Sequence, residues 1–152
     1  MVNIILVNPQ IPQNTGSIAR TCAATNTPLH LVGKLGFELS EKKLRRAGLD
    51  YWPLVDLHQH NTLQGCLDSI KPKNVWPFST KAEKVYYEAI FSQDDVLIFG
   101  SETKGLGQEV LRQFPEEHCL TIPIAQKGVR SLNLSNAVSI ALYEAYRQCA
   151  LG

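Results

Sequence analysis

The chain has 152 residues, which suits one domain and is too short for two comfortable ones. At 44% apolar and 19% charged residues its composition is that of a globular protein and excludes intrinsic disorder. Fifteen Lys and Arg against fourteen Asp and Glu leave +1, which excludes a generally polycationic nucleic-acid coat but not a local basic patch.

In chain order, residues 3–7 (NIILV) form a β-branched apolar run, predicting a buried strand. The two prolines of NPQIPQ (8–13) demand a loop, after which Asn14 is the expected cap of a helix to about Thr25. Residues 29–33 (LHLVG) predict a second strand. Ser40 is the expected cap of a short basic helix, EKKLRRAG, ended by Gly48. A third strand is expected at 54–57, then a helix over 62–71 stopping before Pro72. NVWPF (74–78) predicts a strand that Pro77 places at an edge or strand end. Residues 81–91 are expected to be partly helical. DVLIF (95–99) is the clearest buried strand, 107–114 a short helix and CLTIPI (119–124) a last strand. Residues 133–148 predict the longest helix, with Leu134, Ala137, Val138, Ala141, Leu142 and Ala145 as its buried stripe. This alternation predicts an α/β fold: a mainly parallel sheet with helices on both faces.

No apolar run reaches the roughly 20 residues that cross a bilayer, and the start lacks a basic region followed by a cleavable apolar stretch. A cytoplasmic protein is expected. Cys22, Cys66, Cys119 and Cys149 stand far apart, with no C-x-x-C pair, and are read as buried small apolar residues. No metal is expected. His58 and His60 would share one face of a strand, as a metal pair or as two solvated edge histidines; the second reading is adopted.

Ligands in such sheets sit at the carboxyl ends of strands, which directs attention to three loops. GSETKGLG (100–107) follows the strongest strand. It is not a phosphate loop: Leu106 replaces the gripping lysine and Gly107 the magnesium-binding hydroxyl. It is either a glycine turn permitting close backbone approach to a ligand, with Glu102 as its carboxylate, or a plain turn with a solvated Glu. In NTGSIAR (14–20), Arg20 stands apart from the apolar face of Ile18 and Cys22, on a face made small by Gly16 and Ala24. Arg20 is either a functional cation or a surface charge or structural ion pair with Glu102. VRSLNLSN (129–136) carries Ser131, Asn133, Ser135 and Asn136, more polar residues than one cap needs: a ligand site or an elaborate cap.

Together these loops resemble the three signature motifs of the SPOUT class of S-adenosylmethionine (SAM)-dependent RNA methyltransferases: IPQNTGSIAR, LIFGSETKGL and IPIAQKGVRSLNLSNAVSIALYEAYRQ, with KKLRRAGLDYW as a further match. They are in family order over nearly the whole chain. The likeness is to the small single-domain TrmL-type subgroup, which 2'-O-methylates the wobble nucleotide of tRNA, cytidine or 5-carboxymethylaminomethyluridine. Residues 1–152 would then be one methyltransferase domain with a C-terminal deep trefoil knot. It would bind SAM without a metal, release S-adenosylhomocysteine, work as a homodimer and take the anticodon stem-loop of tRNA, with leucine isoacceptors as the expected substrates. The alternatives are a SPOUT ribose methyltransferase for another tRNA or rRNA position, or a non-catalytic RNA-binding member.

By position, the resemblance implies that Asn14, Arg20, Glu102, Ser131 and Asn133 serve catalysis and its support, with Tyr143 as a further tyrosine of this subgroup. It implies that Phe78, Gly100, Ile122 and Ser131 hold the donor, although position 78 usually carries a smaller aliphatic residue. Lys42, Lys43, Arg45 and Arg46, with Tyr51 and Trp52 nearby for stacking, would grip RNA; a solvated helix face is the other reading of that charge run. An arginine pKa above about 12 makes Arg20 a better clamp on the target phosphate than a base. Tyr143 is an alternative proton relay. Ser139 and the alanines of the last helix suit close helix packing, across a dimer interface or within one chain.

Overall fold

The computed structural model describes residues 1–38 and 52–150. Five parallel strands form the main sheet: β1 (Asn3–Val7), β2 (Leu29–Val32), β3 (Leu57–His60), β4 (Val75–Pro77) and β6 (Val96–Phe99), in the order β3-β2-β1-β6-β4. β5 (Lys84–Val85) pairs in parallel with β7 (Leu120–Thr121). An isolated bridge from Phe78 to Leu120 sets that pair beside the end of β4. The helices are α1 (Pro12–Ala24), α2 (Leu63–Ile70), the single turn α3 (Gln108–Leu111) and α4 (Leu134–Ala150).

Side chains alternate across the sheet, so one strand feeds two cores. Ile4, Leu6, Leu29, Leu31, Leu97 and Phe99 pack with Ile18 and Cys22 of α1 and with Val138, Ala141, Leu142 and Ala145 of α4. Ile5, Val32, Val96 and Ile98 point the other way, toward Cys66 of α2 and Phe114. Helices therefore cover both faces, as the alternation predicts. The central strand β1 is buried along Ile4–Leu6, and β6 along its whole length, because parallel strands covered on both sides are near-continuous apolar runs. At the foot of β6, Asp95 is fully buried. Its carboxylate accepts hydrogen bonds from Trp76 Nε1 (2.9 Å), Ser92 N (2.9 Å), Asn74 N (3.1 Å) and Asn74 Nδ2 (3.0 Å), and so pins β4 to β6.

Most elements fall where the pattern places them, and the exceptions have local causes. Asn14 does not cap α1. The helix starts at Pro12, whose missing N–H costs nothing in a first turn and whose φ is already helical; Ile11 is the cap residue and Asn14 lies inside the helix, buried. The strand expected at 54–57 lies at Leu57–His60, and Trp52–Leu54 is a short 3-10 turn. The apolar run around Val55 drew the expectation, whereas pairing with β2 decides the register. Over 81–91 the helical part is a single 3-10 turn, Tyr86–Glu88. α2 is capped by Thr62, whose Oγ1 accepts from Gly65 N at 3.0 Å, and it stops at a left-handed Lys71 before Pro72. Ser139 Oγ lies 3.4 Å from Thr21 Oγ1, so this small residue packs α4 on α1 within one chain. All four cysteines are free thiols; Cys22, Cys66 and Cys119 are buried. The expected basic helix after Ser40, with Lys42, Lys43, Arg45, Arg46 and Tyr51, lies outside the described residues.

Candidate active site

The carboxyl ends of β6, β4 and β7 open onto a cavity of about 350 Å³, of a size that suits a small-molecule ligand. Phe78, Phe99, Leu120 and Ile122 supply its apolar wall, and the glycine loop 100–107 supplies its backbone side. Phe78 is buried and stacks on Phe99 with ring centroids 4.6 Å apart and planes 18° apart. The larger ring at position 78 is thus accommodated by an aromatic neighbour.

The loop needs its glycines at defined places. A Cβ on Gly100 would run into the backbone of Gly105 and Leu106, so the chain folds back on itself here only because position 100 has no side chain. Gly105 (φ +63°) and Gly107 (φ +80°) occupy the left-handed region. Gly105 N donates to Ser101 O at 3.0 Å, closing the turn.

Glu102 is half-exposed, yet it is held by the chain and not merely solvated on a plain turn. Its carboxylate accepts from Gln10 N (2.9 Å), Ile11 N (2.6 Å) and Asn14 Nδ2 (3.2 Å). The first two donors precede α1, where N–H groups have no helical acceptor, so the carboxylate does the work of a missing side-chain cap. Thr103 Oγ1 adds a 2.6 Å hydrogen bond to Gln10 Oε1.

Asn14 carries the link onward. Its Oδ1 accepts from Asn133 Nδ2 at 3.0 Å. Asn133 Oδ1 in turn accepts from Ser135 N (2.9 Å), Ser135 Oγ (2.7 Å) and Asn136 N (3.2 Å), which makes Asn133 the N-cap of α4. One polar chain, Glu102–Asn14–Asn133, therefore ties together three segments remote in sequence. For Asn133 the structure shows the cap, and the same side chain also reaches Asn14 across the site.

Of the sequence-predicted residues, Phe78, Gly100, Glu102, Ile122 and Ser131 line the cavity. Asn14 and Asn133 brace it from behind. Arg20 is on an exposed position of α1, one residue beyond the buried Ala19. Tyr143 is 50% exposed on the outer side of α4, with its ring 5.9 Å from that of Tyr146, and is not among the cavity's lining residues. Sequence reasoning missed Lys81, Lys104 and Arg130, which set three cations around the cavity. They stand far apart in sequence, and only the closing of three loops on one space unites them. It also missed that Gln10 and Ile11 offer their N–H groups to Glu102.

Among the described residues no helix is long and apolar enough to cross a membrane. The sequence model of the SpoU rRNA Methylase family matches residues 1–143. The chain belongs to the SpoU rRNA methylase family. This methylase is 45% identical over 148 residues to the tRNA (cytidine(34)-2'-O)-methyltransferase of Saccharophagus degradans, with 97% of this chain and 96% of that one covered. Its fold matches, at a TM-score of 0.89 and 50% identity, a solved structure described as giving structural insights into the 2-OH methylation of C/U34 on tRNA; 97% of this chain and 95% of that one are covered. It is also similar in fold, at a TM-score of 0.81 and 23% identity, to the SpoU methyltransferase AviRb of Streptomyces viridochromogenes, solved with the cofactor AdoMet. That match covers 97% of this chain and 60% of the other.

Proposed function

We propose that this methylase transfers the methyl group of SAM to the ribose 2'-hydroxyl of nucleotide 34, the wobble position of tRNA, on cytidine or a modified uridine. The relatives that carry this activity span almost the same length as this chain. The observation that carries the reading is the Glu102–Asn14–Asn133 chain, which draws the three signature segments to one cavity.

The cavity fits the donor in chemistry. An apolar slot between Phe78 and Ile122 suits an adenine face, and the closely folded backbone at Gly100 leaves room that any side chain would fill. The bound donor supplies an electrophilic methyl group on a sulfonium, with a neutral thioether as leaving group. The protein has to orient two reactants, exclude water and remove one proton, tasks that need no metal. Glu102 and Asn14 fix the glycine loop against the start of α1, and Asn133 fixes the start of α4, so the walls that orient the donor cannot drift apart. Ser131, among the cavity's lining residues, would meet the donor or the ribose. Arg20 would hold the target phosphate, lowering the pKa of the adjacent 2'-hydroxyl electrostatically. Arg20→Lys should lose at least tenfold in kcat with normal stability, because lysine cannot grip an anion bidentately; full activity would remove the clamp. Tyr143 would act from an outer helix face that a second copy covers in the proposed dimer.

Lys81, Lys104 and Arg130 around the cavity suit an anionic polynucleotide, and Lys42, Lys43, Arg45 and Arg46 would extend that grip along the anticodon stem-loop. The same reading carries a single domain over 1–152, a trefoil knot at the C-terminal part, a homodimer in the cytoplasm and leucine tRNAs as substrates. The test gives the protein methyl-labelled SAM and bulk tRNA, then maps the label by nuclease digestion. Label is expected on the ribose of the wobble nucleotide. Label on a base would overturn the reaction, and label on a ribose elsewhere would overturn the position.

A further inference from the structure

At the far edge of the sheet from the cavity, a second group of reactive side chains gathers on the face that α2 covers. β2 and β3 run in register, His30 beside His58 and Val32 beside His60, and strand alternation turns residues 30, 58 and 60 to that same face. His30 is buried, with 5% of its surface exposed. Its Nε2 lies 3.0 Å from Asn3 Oδ1. An amide oxygen only accepts, so Nε2 carries the proton and the neutral ring keeps its lone pair on Nδ1. That Nδ1 faces His60 Nε2 at 3.0 Å. Cys66, buried on α2, completes a group in which His30, His60 and Cys66 each offer one ligand atom, all within 4.8 Å of one another.

We propose that His30, His60 and Cys66 form a binding site for a divalent cation of the zinc class, with water in the fourth position, clipping the edge strand β3 and helix α2 to the sheet. Two imidazoles and a thiolate are a donor set zinc prefers, and its bond lengths put such tetrahedral ligands roughly 3.3–3.6 Å apart. The observed group straddles that range, so side-chain rotations of about an ångström close it. The hydrogen bond from His30 to Asn3 is the outer contact that orients a ligating imidazole. The Cys66 thiol gives its proton to solvent as the sulfur–metal bond forms.

His58 is the informative neighbour. It stacks on His30 with ring centroids 4.8 Å apart, but its Nε2 is bonded to Asp56 Oδ1 at 2.7 Å. The sequence alone pairs His58 with His60; the structure pairs His60 with His30 and Cys66 instead.

The test uses the full chain, stripped with a chelator and titrated with Co²⁺, then with Zn²⁺ in competition. Expected are one Co²⁺ per chain, tetrahedral absorption with a thiolate-to-cobalt charge-transfer band, and displacement by Zn²⁺. Cys66→Ser should abolish the charge-transfer band, and His60→Gln should weaken Zn²⁺ binding at least tenfold. His58→Gln should leave the affinity unchanged. His60 lies at the partly exposed end of an edge strand, so its variant folds even where Cys66→Ser does not. Lack of saturable Co²⁺ binding, a charge-transfer band that survives Cys66→Ser, or equal losses in the His58 and His60 variants would overturn the site.

Discussion

The cavity and the histidine-bearing edge lie on opposite sides of the central strand β1, and they assemble polar groups in different ways. At the cavity, Glu102 and Asn14 are 88 residues apart and Asn133 and Asn14 are 119 apart, yet they meet at 3.2 and 3.0 Å. At the edge, His30 and His60 meet because two neighbouring strands share a register. The first arrangement depends on loops closing over strand ends, and the steps from Glu102 to Asn14 and from Asn14 to Asn133 are one hydrogen bond each. The second depends on a ladder of backbone hydrogen bonds that no one side chain controls. Substitutions at the cavity should therefore abolish function in steps, and those at the edge should leave methyl transfer alone.

The largest effect is expected at Gly100. A methyl group there collides with the backbone of Gly105 and Leu106, so Gly100→Ala should weaken S-adenosylhomocysteine binding at least a hundredfold in calorimetry and destabilise the chain by about 3 kcal/mol. Glu102→Ala comes next. It strips three N–H donors of their acceptor in a half-exposed setting where water replaces part of what is lost. A loss of about 2 kcal/mol in urea unfolding is expected, with at least a hundredfold fall in kcat as the two loops drift.

Asn133 separates two roles. Asn133→Ala removes the cap and should cost about 1 kcal/mol. Asn133→Asp keeps a capping oxygen but cannot donate to Asn14 Oδ1 and sets two acceptors against each other, so stability should fall by about 1 kcal/mol with the cap retained while kcat falls roughly tenfold. Equal activity in the parent and the Asp variant would reduce Asn133 to a cap. The smallest effect belongs to the edge. His58→Gln breaks an exposed pair with Asp56 and should change stability by less than about 0.5 kcal/mol, with methyl transfer unaltered.

This contrast also explains what could be read in the sequence. β1 and β6 were legible because strands buried on both faces are continuous apolar runs, and the stripe of α4 because Val138, Ala141, Leu142 and Ala145 repeat at helical spacing. β3 was misplaced because an edge strand, LHQH, carries one aliphatic residue, and its pairing with β2 is a tertiary choice. Asn14 was misread as a cap because local propensity favours asparagine there. Its true acceptor, Glu102, and its true donor, Asn133, come from far along the chain. The three motifs were each visible, and the family likeness foretold their convergence, but the atoms that join them were not. Nor was the triplet of His30, His60 and Cys66, since only the register of β2 and β3 and the seat of α2 bring it together.

The central claim, that three remote segments form one methyl-donor site, is tested most directly by a crystal structure with S-adenosylhomocysteine. The account predicts the ligand in the cavity between Phe78, Gly100 and Ile122, with the Glu102–Asn14–Asn133 chain intact behind it. A ligand bound elsewhere, or bound there with Glu102 turned away from Gln10 and Ile11, would contradict it.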